Sequence, residues 1–251
     1  MNTKLTSSTV GTAVTIQQAS QPEAIDEARR LQATVYLQRR YISQEDVIGG
    51  VMSPKVDPWV ANSVYFVARD TDGVVVGVVR LILWGSGHSL PALGHGFVWP
   101  THREYIERLT PAVAEASALA VARGTPSGIA IELYQAIWYY GMRHHHMMWL
   151  LLIDPPMRRL LHAMLGPITY AIGDPHWYMG GHLVPVALRT CDTHSIIADF
   201  EQQRGRAGLA ELFPHNAAWD RFPPMPPAPP PTPGDMRAAR GRWGARDRGT
   251  S

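Results

Sequence analysis

A chain of 251 residues with 45% apolar content is long enough for one sizeable domain with appendages. The formal charge of +2 conceals an asymmetry: residues 214–251 carry six arginines against three aspartates, a surplus of +3, which leaves the remainder at −1. A nearly neutral body gives no electrostatic footprint for nucleic acid, and a single cysteine, Cys191, excludes an internal disulfide and suits a reducing, cytoplasmic setting.

The first twelve residues are small and polar and read as disordered, with no apolar stretch of signal-peptide length. The longest apolar run, 147–153, is too short to span a bilayer, so no transmembrane segment is expected. Residues 13–19 (AVTIQQA) predict a short strand. In 22–41, Ile25, Ala28, Leu31, Val35 and Tyr36 or Leu37 recur at helical spacing. A loop carrying SPKVDPW follows. The stretch SVYFVARDTDGVVVGVVRLIL (63–83) predicts a hairpin, because two β-branched runs flank Asp72-Gly73. Residues 85–112 are rich in Gly, Pro and His, with a short helix near REYIERL.

VAEASALAVARG (113–124) alternates like a strand, with Glu115, Ser117, Leu119 and Val121 on one face and Ala114, Ala116, Ala118 and Ala120 on the other. Burying a charge there is costly without a partner, so Glu115 demands an explanation. After the loop RGTPSG, residues 127–146 predict a helix with Ile129, Leu133, Ala136, Ile137 and Tyr140 inward. Residues 147–153 predict a strand buried on both faces. Residues 154–166 predict a helix with Asp154 as N-cap, Pro in its first turn and Gly166 as its stop. Strands at 168–173 and 182–190 and a closing helix at 194–213 complete the body. PPMPPAPPPTPG then places eight prolines in twelve residues, a polyproline tail. The order predicts an α/β fold, one mixed β-sheet flanked by helices, at 13–213 between disordered residues 1–12 and a disordered Pro/Arg-rich tail at 214–251.

The strand–loop–helix–buried strand–helix order of the second half resembles the GNAT acyltransferase superfamily. Three stretches are similar to its branch of acyl-homoserine-lactone synthases and long-chain N-acyl amino acid synthases. ATVYLQRRY resembles that branch's first helix, with its Val-aromatic pair at Val35-Tyr36. DGVVVGVVRLI resembles its hairpin strand, whose arginine falls on Arg80, and EASALAV resembles its Glu-any-Ser-Arg-aromatic-Ala-Val strand. The match spans roughly residues 20–190 of a usual domain size. It implies a single GNAT-like domain that transfers an acyl group from a thioester to an amine.

Two departures shape that expectation. Ala118 and Leu119 replace the motif's arginine and aromatic residue, and in lactone synthases that arginine belongs to a polar constellation. The resemblance therefore implies an N-acyl amino acid synthase. A lactone synthase using S-adenosylmethionine and a non-catalytic acyl-binding module are the alternatives. RGTPSG also departs from the superfamily's pyrophosphate loop. The implied donor is thus an acyl-phosphopantetheine on acyl carrier protein, or else acyl-coenzyme A, with no tightly bound cofactor. The implied partners are the carrier protein and a small amino acid, with weak membrane association through the lipid product.

Acyl transfer to an amine needs a proton acceptor, donors for the oxyanion and a slot for the chain. Glu115 is the candidate general base; the competing reading is a structural pair with Arg80. Arg80 would orient Glu115 or anchor the amino acid carboxylate bidentately, a role for which Arg40 is a rival. Tyr36 and Ser117 complete the expected acceptor side. Arg123, Thr125, Ser127 and Gly128 precede a helix whose free N–H groups favour a phosphate, although Thr125 as a simple N-cap explains the same loop. Arg158, beside Arg159 in a helix first turn, is either solvated or faces the acidic carrier protein. His144, His145 and His146 cannot all face one ion and are expected to cap their helix. His88, His95 and His102 recur every seven residues in a Gly/Pro-rich segment, a coincidence. No metal is expected.

Overall fold

The β-branched runs either side of Asp72-Gly73 pair with each other, and the sheet extends outward from them. The computed structural model describes residues 5–7, 14–85, 89–126, 128–216 and 223–230. In chain order its first half contains β1 (Leu5–Ser7), β2 (Val14–Ala19), α1 (Pro22–Gln38), β3 (Val47–Ile48), β4 (Val51–Met52), β5 (Ser63–Arg69) and β6 (Val75–Leu83). Next come α2 (Pro91–Gly94), α3 (Pro100–Arg108), β7 (Val113–Val121), α4 (Ile129–Arg143) and β8 (Met148–Ile153). The remainder is α5 (Pro155–Leu165), β9 (Tyr170–Ala171), β10 (His176–Tyr178), β11 (Gly181–Arg189) and α6 (Thr190–Gln203).

The main sheet runs β1-β2-β5-β6-β7-β8-β11-β10, with β9 on β11, and β3 pairs β4 separately. Its pairings are antiparallel except β7 with β8, which is parallel. The helix between those two strands, α4, is the crossover that a parallel pair requires.

Helices cover both faces. On one, Ile129, Leu133 and Ile137 of α4, Leu161 of α5 and Ile197 of α6 pack onto Phe66, Val79, Leu81, Trp149 and Leu151. On the other, α1 lays Ala28 over Tyr65, Val67 and Val78, while Leu93 of α2 and Ile106 of α3 cover Ile82, Met148 and Leu150. Asp154 caps α5 by accepting from the Met157 N–H at 2.6 Å, and Gly166 ends it with a φ of 81°. The closing helix begins at Thr190, earlier than its spacing predicts. It stops at Gln203 because Gly205 and Gly208 take φ of 61° and 108°, which no helix contains.

Strand β7 departs from its expected alternation. Val78 pairs with Ala120 and Arg80 with Ser117, so Ala118 and Leu119 together oppose Val79. This is a β-bulge, and Ala118 adopts a φ of 56° to make it. The extra residue swaps the faces beyond it. Leu119 and Val121 join Ala114 and Ala116 against α4, whereas Ala120 turns toward α1. Only Glu115 and Ser117 keep the predicted polar face.

Leu5–Ser7, inside the segment read as disordered, pairs with β2. The proline-rich segment also touches the body: Tyr105 Oη donates to the Pro223 carbonyl at 2.6 Å, and Met225 packs on the α2/α3 cluster. The disorder expected of residues 1–4, 8–12, 217–222 and 231–251 lies outside the described residues. Cutting the chain after Pro230 is expected to leave the melting temperature and transfer rate unchanged. Cutting before Pro223 removes the Tyr105 bond and the Met225 contact and should cost about 1–2 kcal/mol, read as a lower melting temperature with turnover retained. Equal melting of the two truncations would show that the docked segment contributes nothing.

Candidate functional site

Strands β7 and β8 pair only from Val113 with Met148 to Glu115 with Leu150. From there β8 stays with β11 as far as the Ile153–Val184 pair, while β7 follows β6 through its bulge. The two strands part, and the gap between them is a cavity of about 150 Å³. Its walls include Tyr36, Tyr134, Leu151, Met157 and Leu183. A second cavity, of about 80 Å³, lies on the α1 side and is lined by Gln32, Tyr36, Arg80, Glu115 and Tyr178. The two share Ala116, Ser117 and Ala118 of β7 as a common wall. A third space of about 30 Å³ begins at Tyr134 and Leu151 of the first cavity and reaches Leu161, Leu165 and Phe213 in the apolar core. A polar chamber and an apolar slot therefore meet at one bulged strand.

Glu115 is 2% exposed. Its Oε2 accepts from the Ala92 N–H at 2.9 Å. Pro91 starts α2, and Ala92 presents its backbone donor in that first turn, where no helical carbonyl claims it. Burial pushes the carboxyl up from 4.5 to about 7, against the opposing pull of the Ala92 bond and the Arg80 charge. A carboxyl poised there exchanges protons near neutral pH.

The expected Glu115–Arg80 pair does not form. Register places Arg80 opposite Ser117, and Glu115 opposite Ile82. Arg80 Nη1 instead donates to Asp57 Oδ1 at 2.9 Å, to Oδ2 at 2.8 Å and to Tyr65 Oη at 3.1 Å. The ion pair is buried, at 4% and 2% side-chain exposure. Burial alone would lower the Arg80 pKa, but the Asp57 carboxylate, together with Tyr65 and Tyr36, more than offsets this and holds it above its ordinary value. Arg80 Nε has no hydrogen-bond partner among the described residues.

Tyr36, Tyr134 and Tyr178 face these spaces, and burial pushes each hydroxyl up to about 12. All three stay protonated at neutral pH and are available as donors. Tyr178 and Met179 are held over the cavities by the β10–β11 turn. Gly180 takes a φ of 73° there, and a Cβ on it would run into the Arg40 carbonyl. Only glycine lets the two backbones approach so closely.

The remaining expected residues are distributed unevenly. Ser117 lines both cavities. Arg40 sits exposed at the end of α1 and lines neither. Arg123, Thr125 and Gly128 lie on the loop from β7 to α4, also off both cavities, and Ser127 is outside the described residues. Thr125 is not the helix cap: Gly128 is, with no side-chain cap bond. Arg158 is turned aside, donating through Nε to Thr169 Oγ1 at 3.2 Å and through Nη2 to the Thr169 carbonyl at 3.3 Å. His144 ends α4 stacked on Tyr140 at 4.1 Å, and His88 lies outside the described residues. Among the described residues no three His, Cys, Asp or Glu side chains gather to hold a metal, and no helix is long and apolar enough to cross a membrane.

Sequence reasoning missed Gln32, Asp57, Ala92 and Tyr178. Gln32 left a signal, a polar residue between Ala28 and Tyr36 on the inner stripe of a helix. Asp57 and Ala92 left none, because Asp57 arrives on a loop and Ala92 contributes only the backbone N–H of a helix turn.

The family model described as N-acyl amino acid synthase FeeM matches residues 27–192. Among solved structures, FeeM, an N-acyl amino acid synthase from uncultured soil microbes, aligns with a TM-score of 0.54 at 18% identity over 76% of this chain and 99% of its own. The acyl-homoserine-lactone synthase LasI aligns with a TM-score of 0.56 at 17% identity, over 75% of this chain and 96% of its own. TofI, solved with an inhibitor and MTA, gives 0.54 at 16% identity over 74% and 96%. Likeness at such identities speaks for the fold alone. No curated protein matches the sequence.

Proposed function

Because the chain belongs to the FeeM N-acyl amino acid synthase family, and so is an acyltransferase with a GNAT-like fold, we propose that it joins a long-chain fatty acyl group, carried as a thioester on acyl carrier protein, to the amine of an amino acid. The observation that carries this reading is the meeting of two unlike chambers at β7, one polar around Glu115 and Arg80, the other apolar and continued toward the core. An amino acid suits the first and an acyl chain the second.

In this reading the acceptor's carboxylate meets Arg80, with Tyr36 and Ser117 beside it. Glu115 takes the proton from the ammonium form. The freed amine attacks the thioester carbonyl, and backbone N–H groups of β7, facing the gap where β8 has left, receive the oxyanion. The intermediate collapses with cleavage of the carbon–sulfur bond. The thiolate leaves and recovers a proton, so one thioester and one amine give one amide and one thiol. The loop of Arg123, Thr125, Ser127 and Gly128 is assigned the phosphopantetheine phosphate. Arg158, engaged by Thr169, is assigned no contact with the carrier. The reaction belongs in the cytoplasm, where the donor is made and Cys191 stays reduced.

Ala118 weighs against lactone formation. The family motif's arginine would supply a charge at this point, and the bulge here carries a bare methyl.

The donor is testable directly. Purified protein offered acetyl-coenzyme A, long-chain acyl-coenzyme A and long-chain acyl carrier protein is expected to use the last fastest, because only a long chain fills the slot between β7 and β8. Faster transfer from acetyl-coenzyme A would overturn the assignment.

A further inference from the structure

We infer that Gln32 reads the side chain of the acceptor, and that the preferred acceptor carries a compact neutral group that both donates and accepts hydrogen bonds, a carboxamide ahead of a hydroxyl. This rests on the amino acid acylation proposed above. Gln32 lines the polar chamber at 1% exposure. Neither its Nε2 nor its Oε1 has a hydrogen-bond partner of standard geometry among the described residues. Its amide stands close enough to the Tyr36 hydroxyl to stabilise the phenolate, but closes no such bond.

A buried amide whose polar atoms close no hydrogen bond of standard geometry, and have only the Tyr36 hydroxyl near them, forfeits hydration for little return. A leucine or methionine at the same place on α1, between Ala28 and Tyr36, would pack without that loss. Two hydrogen-bonding atoms of opposite sense without a standard partner, on a residue that lines this chamber, describe the ligand that completes them. A side-chain carboxamide offers one acceptor to Nε2 and one donor to Oε1 at once. A hydroxyl completes the pattern less fully, and an aliphatic side chain leaves both atoms bare.

Charge argues the same way. Arg80 is matched by Asp57, and the acceptor's own carboxylate and amine engage Arg80 and Glu115. A charged acceptor side chain would have no counter-ion left. The chamber is small, about 80 Å³, and a compact carboxamide side chain means asparagine or glutamine.

The test uses the full chain with saturating long-chain acyl carrier protein and measures kcat/KM for asparagine, glutamine, serine, leucine and methionine. Sites built to hydrogen-bond a substrate reject analogues that cannot, so asparagine is expected to exceed its near-isostere leucine by about tenfold or more. Gln32→Leu should abolish or reverse that ratio and melt at the same temperature or higher. Should Gln32→Leu fail to fold, Gln32→Met provides the same comparison. Leucine acylated as well as asparagine by the native protein, or a ratio unchanged in the variant, would overturn the role of Gln32 while leaving amino acid acylation intact. No amide with any amino acid would overturn both.

Discussion

Exchanging Glu115 for glutamine is expected to cut turnover by roughly a hundredfold or more, the scale of losing a general base, while making the protein more stable above neutral pH. The two effects share one cause. In the unfolded chain the carboxyl titrates near 4.5, but burial holds it at about 7 in the fold. Between those values the native state binds a proton that the unfolded state has released, so stability falls as pH rises. The penalty is absent below about pH 4.5 and complete above about 7. A difference of this size is worth about 3 kcal/mol. Glutamine keeps the acceptor for Ala92 and has no charge to desolvate. Thermal melts should coincide near pH 4 and favour the variant at pH 8. The native rate should climb through about pH 7 as Glu115 ionises; the variant should lack that limb and recover partly at high pH, where free amine is abundant. A variant with a near-normal rate at pH 7 would leave Glu115 as a group that only fastens the sheet to α2.

Asp57→Ala is expected to be the most destabilising single change of a charged residue, by about 3–5 kcal/mol, because it strands a guanidinium that is 4% exposed. The Tyr65 hydroxyl, its remaining partner, is neutral and cannot replace a carboxylate. Replacing both residues, Arg80→Met with Asp57→Leu, should restore much of the stability, since no buried charge is left unpaired. It should not restore acylation if Arg80 receives the acceptor's carboxylate. Denaturant titration measures the first effect, and the acceptor KM the second. A loss below about 1 kcal/mol for Asp57→Ala would mean that water reaches and screens the pair.

The order of elements was legible because each carries a local signal. The Asp72-Gly73 turn, the apolar run at 148–153 and the Asp154 cap are properties of a few neighbouring residues. The bulge at Ala118 was not legible. Nothing in EASALAV marks a left-handed alanine, and the conformation lies where β7 still pairs with β6 but has left β8. For the same reason Leu119 and Val121 read as companions of Glu115 when they face α4. In the site, Glu115 and Arg80 stood out as ionisable residues in apolar strands. Their partners did not, because Ala92 contributes only its backbone and Asp57 arrives on a loop 23 residues before Arg80. Arg40 and Arg158 looked available because a sequence does not show that one is turned to solvent and the other held by Thr169.

The most direct measurement is the mass of what the enzyme makes. Purified protein is incubated with long-chain acyl carrier protein, a mixture of the common amino acids and S-adenosylmethionine, and the lipid extract is weighed by mass spectrometry. The expected product is an amide whose mass is the sum of the fatty acid and one amino acid less water, formed whether or not S-adenosylmethionine is present and about a hundredfold slower at neutral pH with Glu115→Gln. An acyl-homoserine lactone that appears only with S-adenosylmethionine, or free fatty acid with no amide, would contradict it.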